Sequence, residues 1–157
     1  MIESKQGNLL EEKTDALVNA VNCVGVMGKG IALQFKHAFP ANFELYKSAC
    51  DAGEVQPGKM FVVEISTALR PYYIINFPTK RHWRQKSKFD DIKVGMSALV
   101  GEVQRLKLES ISIPALGCGY GGLDWAVVKP LIASAFEALP AVRVVLFEPG
   151  DIPEKTD

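Results

Sequence analysis

The chain has 157 residues, 48% hydrophobic and 23% charged, with 18 basic and 18 acidic side chains. That length holds one domain with a substantial core, and a net charge of zero means that any case for a nucleic-acid partner has to be local. No apolar run approaches the roughly 18 residues of a membrane span, and the opening Met-Ile-Glu-Ser-Lys-Gln lacks the apolar centre of a signal peptide, so a cytoplasmic location and no membrane partner are expected.

Residues 15–21, Asp-Ala-Leu-Val-Asn-Ala-Val, read as a short buried strand that runs into Asn22. Val24 to Gly30 form a glycine-rich loop, and Ile31 to Lys36 begin a helix closed by Pro40. Asn42 to Ala52 suits a second helix, with Asn42 as its cap. Met60–Ile65 and Tyr72–Phe77 are β-branched and aromatic, the mark of strands. Ser87–Leu108 places Phe89, Ile92, Met96, Leu99, Val103 and Leu106 at helical spacing. Ile111–Leu116 reads as a strand and Gly117–Gly122 as a second glycine-rich loop. The next helix has Asp124 as cap and Pro130 near the start of its regular part. Val142–Phe147 is the last strand. Strands alternating with helices predict an α/β fold with a largely parallel sheet. One domain is expected over residues 1–150, with 151–157 as a polar tail or the start of a linker. Cys23, Cys50 and Cys118 are odd in number and scattered, and His37 and His82 have no ligand spacing, so neither a disulfide framework nor a metal is expected.

Each glycine-rich loop follows a strand and opens a helix. There backbone N–H groups and the helix dipole meet an anion. Either loop alone is also an ordinary tight connection; two in one small domain suggest a ligand with more than one phosphate. The first is not a Walker motif, because Lys29 is followed by Gly30 rather than Ser or Thr. The second matches Gly-x-Gly-x-x-Gly through Gly117, Gly119 and Gly122. Glu148 lies after the following strand, where a dinucleotide fold places its ribose-binding acid. Against that rival, too little chain follows the motif to complete such a fold, and the first loop has no place in it.

The pattern as a whole resembles the macrodomain family. The resemblance runs from Gly7 to about Phe147. It rests on Gly7-Asn8-Leu9-Leu10, on Asp15-Ala16-Leu17-Val18-Asn19-Ala20-Val21-Asn22, and on the two loops in order. Met27-Gly28-Lys29-Gly30-Ile31-Ala32, Phe77-Pro78-Thr79-Lys80 and Pro114-Ala115-Leu116-Gly117-Cys118-Gly119 are most similar to one branch of it. That branch holds the human terminal ADP-ribose glycohydrolase and bacterial antitoxins that remove ADP-ribose from DNA. The resemblance implies a three-layer α/β/α fold with ADP-ribose across the carboxyl ends of the strands. It places Asn8 and Leu9 at the adenine, Asn22 at the distal ribose, and Gly28, Lys29, Gly30 and Ile31 at the diphosphate. Leu116, Gly117, Cys118, Gly119, Tyr120 and Gly121 face the same diphosphate, and Thr79 joins the substrate-binding set beside a catalytic Lys80. Two positions depart from the pattern. Asn8 stands where many macrodomains have Asp, and Gly121 where the human enzyme has a catalytic Asp. Asp124 is close by in sequence, although capping a helix accounts for it equally well.

A lysine with an ordinary pKa near 10.4 is a poor nucleophile at neutral pH. Burial, or neighbours such as Arg81 and Arg84, would lower that value. A neutral amine can then attack the anomeric carbon of the distal ribose; kept protonated, Lys80 can instead stabilise the departing group. Sequence leaves the two roles open. The adjoining Arg81-His82-Trp83-Arg84-Gln85-Lys86-Ser87-Lys88 is the one strongly basic stretch. Cations with an aromatic among them suit single-stranded nucleic acid, with His82, Trp83 and Arg84 as contacts, although a solvated basic loop has the same composition. Cys118 reads as a small residue fitted into its loop, since no base for it is in view. The expectation is a glycohydrolase that removes ADP-ribose from DNA bases without a cofactor, opposing a DNA ADP-ribosyltransferase toxin. A non-catalytic ADP-ribose reader and a hydrolase of ADP-ribosylated protein side chains are the alternatives.

Overall fold

The computed structural model of the chain describes residues 1–150; the expected tail at 151–157 lies outside the described residues. Six strands, β1 (Ile2–Lys5), β2 (Ala16–Val21), β3 (Phe61–Glu64), β4 (Tyr73–Pro78), β5 (Ser110–Ile113) and β6 (Arg143–Phe147), form one sheet in the order β1-β6-β5-β2-β4-β3. Every pairing is parallel except β3 with β4. The helices are α1 (Gly30–Ala38), α2 (Pro40–Asp51), α3 (Phe89–Arg105) and α4 (Trp125–Phe136). None of them is long and apolar enough to cross a membrane.

Side chains alternate across a strand, and this sorts the core into two layers. Ala16, Val18, Ile75, Phe77, Ile111, Ile113, Val144 and Leu146 face Ile92, Met96, Leu99 and Val103 of α3 and Val128, Ile132 and Phe136 of α4. The intervening Leu17, Ile74, Val145 and Phe147 face Phe35 of α1 and Leu9 of the turn after β1, and Val21 packs with Tyr46 and Ala49 of α2. The result is the expected α/β/α sandwich, with strands buried on both faces, as parallel sheets require.

Local differences from the sequence reading have physical causes. β1 is an edge strand of mostly exposed residues, so it carries no apolar pattern; only its ladder with β6 defines it. Helix α2 begins at Pro40, whose ring suits the first turn. Asn42 is therefore inside the helix rather than its cap. Its buried amide exchanges hydrogen bonds with Asn76 (2.9 and 3.2 Å), and Asn19 donates to the same Asn76 oxygen at 3.3 Å. Leu116 lies beyond β5, in the loop. Pro130 lies in the interior of α4, where its lost N–H leaves a carbonyl on an exposed face. Asp124 does cap α4, accepting from the Ala126 amide at 3.0 Å.

Candidate functional site

The parallel strands deliver their carboxyl ends to one edge of the sheet. A groove of about 1070 Å³ runs along that edge. The strand order sets the sequence of its walls. Gly7, Asn8 and Leu9 after β1 come first, then Phe147 to Gly150 at the end of β6, and Pro114, Ala115, Gly117, Gly119, Tyr120 and Gly121 after β5. Asn22 to Ala32 after β2 follow, and Thr79 and Lys80 after β4 close the far end.

In the first loop the Asn22 amide acts as an internal brace. Its oxygen accepts from the Val24 amide (3.0 Å), the Val26 amide (3.4 Å) and the Tyr46 hydroxyl (2.8 Å), and its nitrogen donates to the Val26 carbonyl at 2.8 Å. Asn22 lines the groove with these bonds already made. Helix α1 then starts without a side-chain cap, leaving first-turn amides around Gly30 and Ile31 for an anion. In the second loop the Cys118, Gly122 and Leu123 amides bond within the loop. Among the described residues the Gly119, Tyr120 and Gly121 amides take no such partner. Tyr120 reaches over to the first loop, where a Cβ on Gly30, which has a φ of +57°, would lie 3.3 Å from its ring. Lys29 stands 5.3 Å from the centre of that ring. The two loops thus face each other across a slot lined by backbone donors, the arrangement that two linked phosphates require.

Leu116 and Cys118 point the other way. Leu116 is fully buried. The Cys118 thiol is turned to the Leu116 carbonyl, and burial pushes its pKa up to about 11, so it is inert as a nucleophile. Gly121 is bare for a steric reason. A Cβ there would fall inside van der Waals contact with the Ser87 hydroxyl and the Gly117 carbonyl. Ser87 also donates its amide to the Gly121 carbonyl at 3.0 Å, so the chain beneath the loop occupies the space an acid would need. Asp124 is committed to capping α4.

Lys80 lies at the end of the groove, half-buried, with Nζ donating to the Trp83 carbonyl at 3.2 Å. Burial first, then the charges of Lys86 and Lys29, hold its pKa below the usual lysine range. The neighbours are not the arginines anticipated from sequence. Arg81 is paired with Asp91 at 3.3 Å, and Arg84 is stacked on Trp83 at 4.6 Å. Lys86 cannot be placed at the groove from sequence, because its position depends on the turn that folds 80–87 back under the second loop. That segment is tied at both ends: the Arg81 carbonyl accepts from Cys23 of the first loop, and Ser87 is held to Gly121. Trp83 is 43% exposed, with His82 against it at 5.2 Å. The His82 Nδ1 accepts from the Arg84 amide and fixes the turn. Trp83, Arg84, Gln85 and Lys86 line the groove; His82 is not among its lining residues.

At the opposite end Asn8 caps the 3-10 turn Leu9–Glu11, accepting from the Leu10 amide at 3.1 Å and donating to Glu11 at 3.3 Å. Among the described residues no three His, Cys, Asp or Glu side chains cluster as metal ligands would. Chemically the groove offers an elongated seat for an anion, two opposed rows of backbone donors, and one partly desolvated amine at its end.

A Macro domain family model matches residues 18–132. A DNA ADP-ribosyl glycohydrolase of Thermus aquaticus is 49% identical over 154 residues, which is 98% of this chain and 43% of that protein. The chain therefore spans less than half the length of that relative. The structure of the macrodomain of Mycobacterium tuberculosis DarG superposes with a TM-score of 0.94 at 51% identity, covering 96% of this chain and 99% of that one. Thermosipho africanus DarTG in complex with ADP-ribose superposes with a TM-score of 0.85 at 30% identity, over 94% of this chain and 41% of that one. With its sheet order, its two opposed glycine loops and these matches along nearly its whole length, the chain belongs to the macrodomain family.

Proposed function

We propose that this domain binds ADP-ribose attached to a base of single-stranded DNA and cleaves the bond between them, with Lys80 as nucleophile. The observation that carries the reading is the half-buried Lys80 amine at the end of the groove, flanked by Lys86 and Lys29, which disfavour its protonated form. The diphosphate rests between the two loops, which brings the distal ribose to Lys80. The neutral amine attacks the anomeric carbon, and the bond from that carbon to the base nitrogen breaks with its electron pair. The proton that the amine sheds goes to the departing base. Water then displaces the lysine and releases ADP-ribose. The close relative's name, DNA ADP-ribosyl glycohydrolase, supports DNA as the carrier. So does the exposed Trp83 with Arg84 over its ring, a stacking surface beside the reacting end. Similarity to a protein named as a fusion of DNA ADP-ribosyl transferase and glycohydrolase supports an antitoxin role, opposing a transferase that modifies DNA.

The test is incubation with an ADP-ribosylated single-stranded oligonucleotide and, separately, with ADP-ribosylated protein, following released ADP-ribose. The reading expects release from the oligonucleotide, slowed at least about 100-fold in Lys80→Ala. Release from protein alone identifies a protein hydrolase, and tight binding without release identifies a reader; either overturns the proposal.

A further inference from the structure

We infer that Glu148 accepts hydrogen bonds from the adenosine ribose and makes the groove reject ligands phosphorylated at the 2′ position of that ribose. The inference rests on the ADP-ribose reading above. Strand β6 lies between β1, whose following turn carries Asn8, and β5, whose following loop faces the diphosphate. A ligand with adenine at the first and phosphates at the second has its adenosine ribose over the end of β6. Glu148 is the first residue beyond that strand and is among the residues that line the groove.

The carboxylate is held from behind. Trp125 Nε1 donates to Oε2, and Lys129 Nζ lies 2.6 Å from Oε1. These bonds, with the Lys129 bond the largest influence, keep its pKa below the usual carboxylate range, so it is ionised at neutral pH. Ser4 of β1 also donates to it; two carboxylate oxygens offer about four acceptor sites, so three protein donors leave about one for a ligand. A fixed, ionised carboxylate matches a ribose diol, which has hydroxyl donors, and mismatches a phosphate, which brings like charge and no donor. The same chemistry separates the two nicotinamide dinucleotides in folds of another kind.

The experiment is titration of the full chain with ADP-ribose, 2′-deoxy-ADP-ribose and ADP-ribose 2′-phosphate. Wild type is expected to bind the last two about tenfold or more weakly, the value of a hydrogen bond to a charged group. Glu148→Gln should bind ADP-ribose more weakly and largely close the gap to the 2′-phosphate. Lys129→Met, which breaks the brace and keeps the charge, should retain the gap. Equal binding of all three ligands by wild type overturns the inference even if every variant fails to fold. A full gap retained in Glu148→Gln also overturns it. Failure of wild type to bind any of the three refutes the ADP-ribose reading itself.

Discussion

At the β1–β6 end of the groove the polar side chains are engaged from behind. Asn8 is spent on its own turn and on Glu11, and Glu148 is held by an indole and an ammonium. At the β4 end Lys80 has one carbonyl for a partner, and Trp83 and Arg84 lie exposed against each other. The first end suits the adenosine half of a ligand, which is the same in every substrate, so its readers can be fixed in advance. On the proposed function, the second would have to meet a strand of varying sequence, and its amine would have to change its bonding during the reaction.

The strongest way to break this comparison is Lys80→Ala. Release of ADP-ribose from DNA should fall by roughly 100- to 10 000-fold, while affinity for free ADP-ribose stays within a few-fold, because the loops and the β1–β6 end do the holding. Single-turnover release and calorimetric binding on the same preparation check both halves. Trp83→Ala comes next. It should weaken binding of modified single-stranded DNA by about 1–3 kcal/mol, the range for one stacked base, and leave free ADP-ribose untouched. Arg84→Ala should flatten the salt dependence of DNA binding by about one phosphate contact. Equal losses on DNA and on free ADP-ribose would show that the two ends are not separate. Gly121→Ala addresses the wall between them. Its methyl has no room beside Ser87 and Gly117, so overpacking should cost about 1–3 kcal/mol. The Tm should drop with it, by roughly 2–4 °C per kcal/mol, and ADP-ribose affinity should drop as the second loop shifts.

How far this division can be read from sequence depends on how local its parts are. The continuous apolar runs of β2, β4 and β6 and the spacing within α3 show which residues are buried, because each such pattern is contained in one segment. The loops are legible as glycine between strand and helix. β1 is not, since an exposed edge strand has no apolar face to reveal it. The antiparallel direction of β3 is set by its pairing and not by its composition. At the site, Lys80 stands out because it follows a strand end and Pro78. What lowers its pKa does not, because Lys86 is six positions away and reaches the groove only through the fold of 80–87. Arg81 and Arg84, adjacent in sequence, are committed to Asp91 and to Trp83. Glu148 is visible as an acid after the last strand, but its place between adenine and diphosphate follows from a strand order the sequence does not state. The vacancy at Gly121 is a similar case: Ser87 fills the space, and the two are 34 positions apart.

The smallest expected effect sharpens the reacting end alone. Lys86 lines the groove, and its charge opposes protonation of Lys80. Removing it in Lys86→Met makes the Lys80 ammonium easier to keep, so the Lys80 pKa rises. If the neutral amine attacks, activity climbs with pH as Lys80 loses its proton, and the variant's curve should be displaced to the alkaline side. At neutral pH the variant should be a few-fold slower, and above both midpoints its rate should approach that of wild type. If Lys80 acts instead as a cation that stabilises the departing group, activity falls as pH rises through its pKa, and the variant should hold its rate to higher pH than wild type. DNA affinity has to be measured alongside, because Lys86 is also a cation at the mouth of the groove and its loss could weaken DNA binding. A single-turnover rate at saturating protein removes that contribution. The direction in which the pH profile moves then separates a nucleophilic from an electrostatic Lys80, the choice that sequence leaves open.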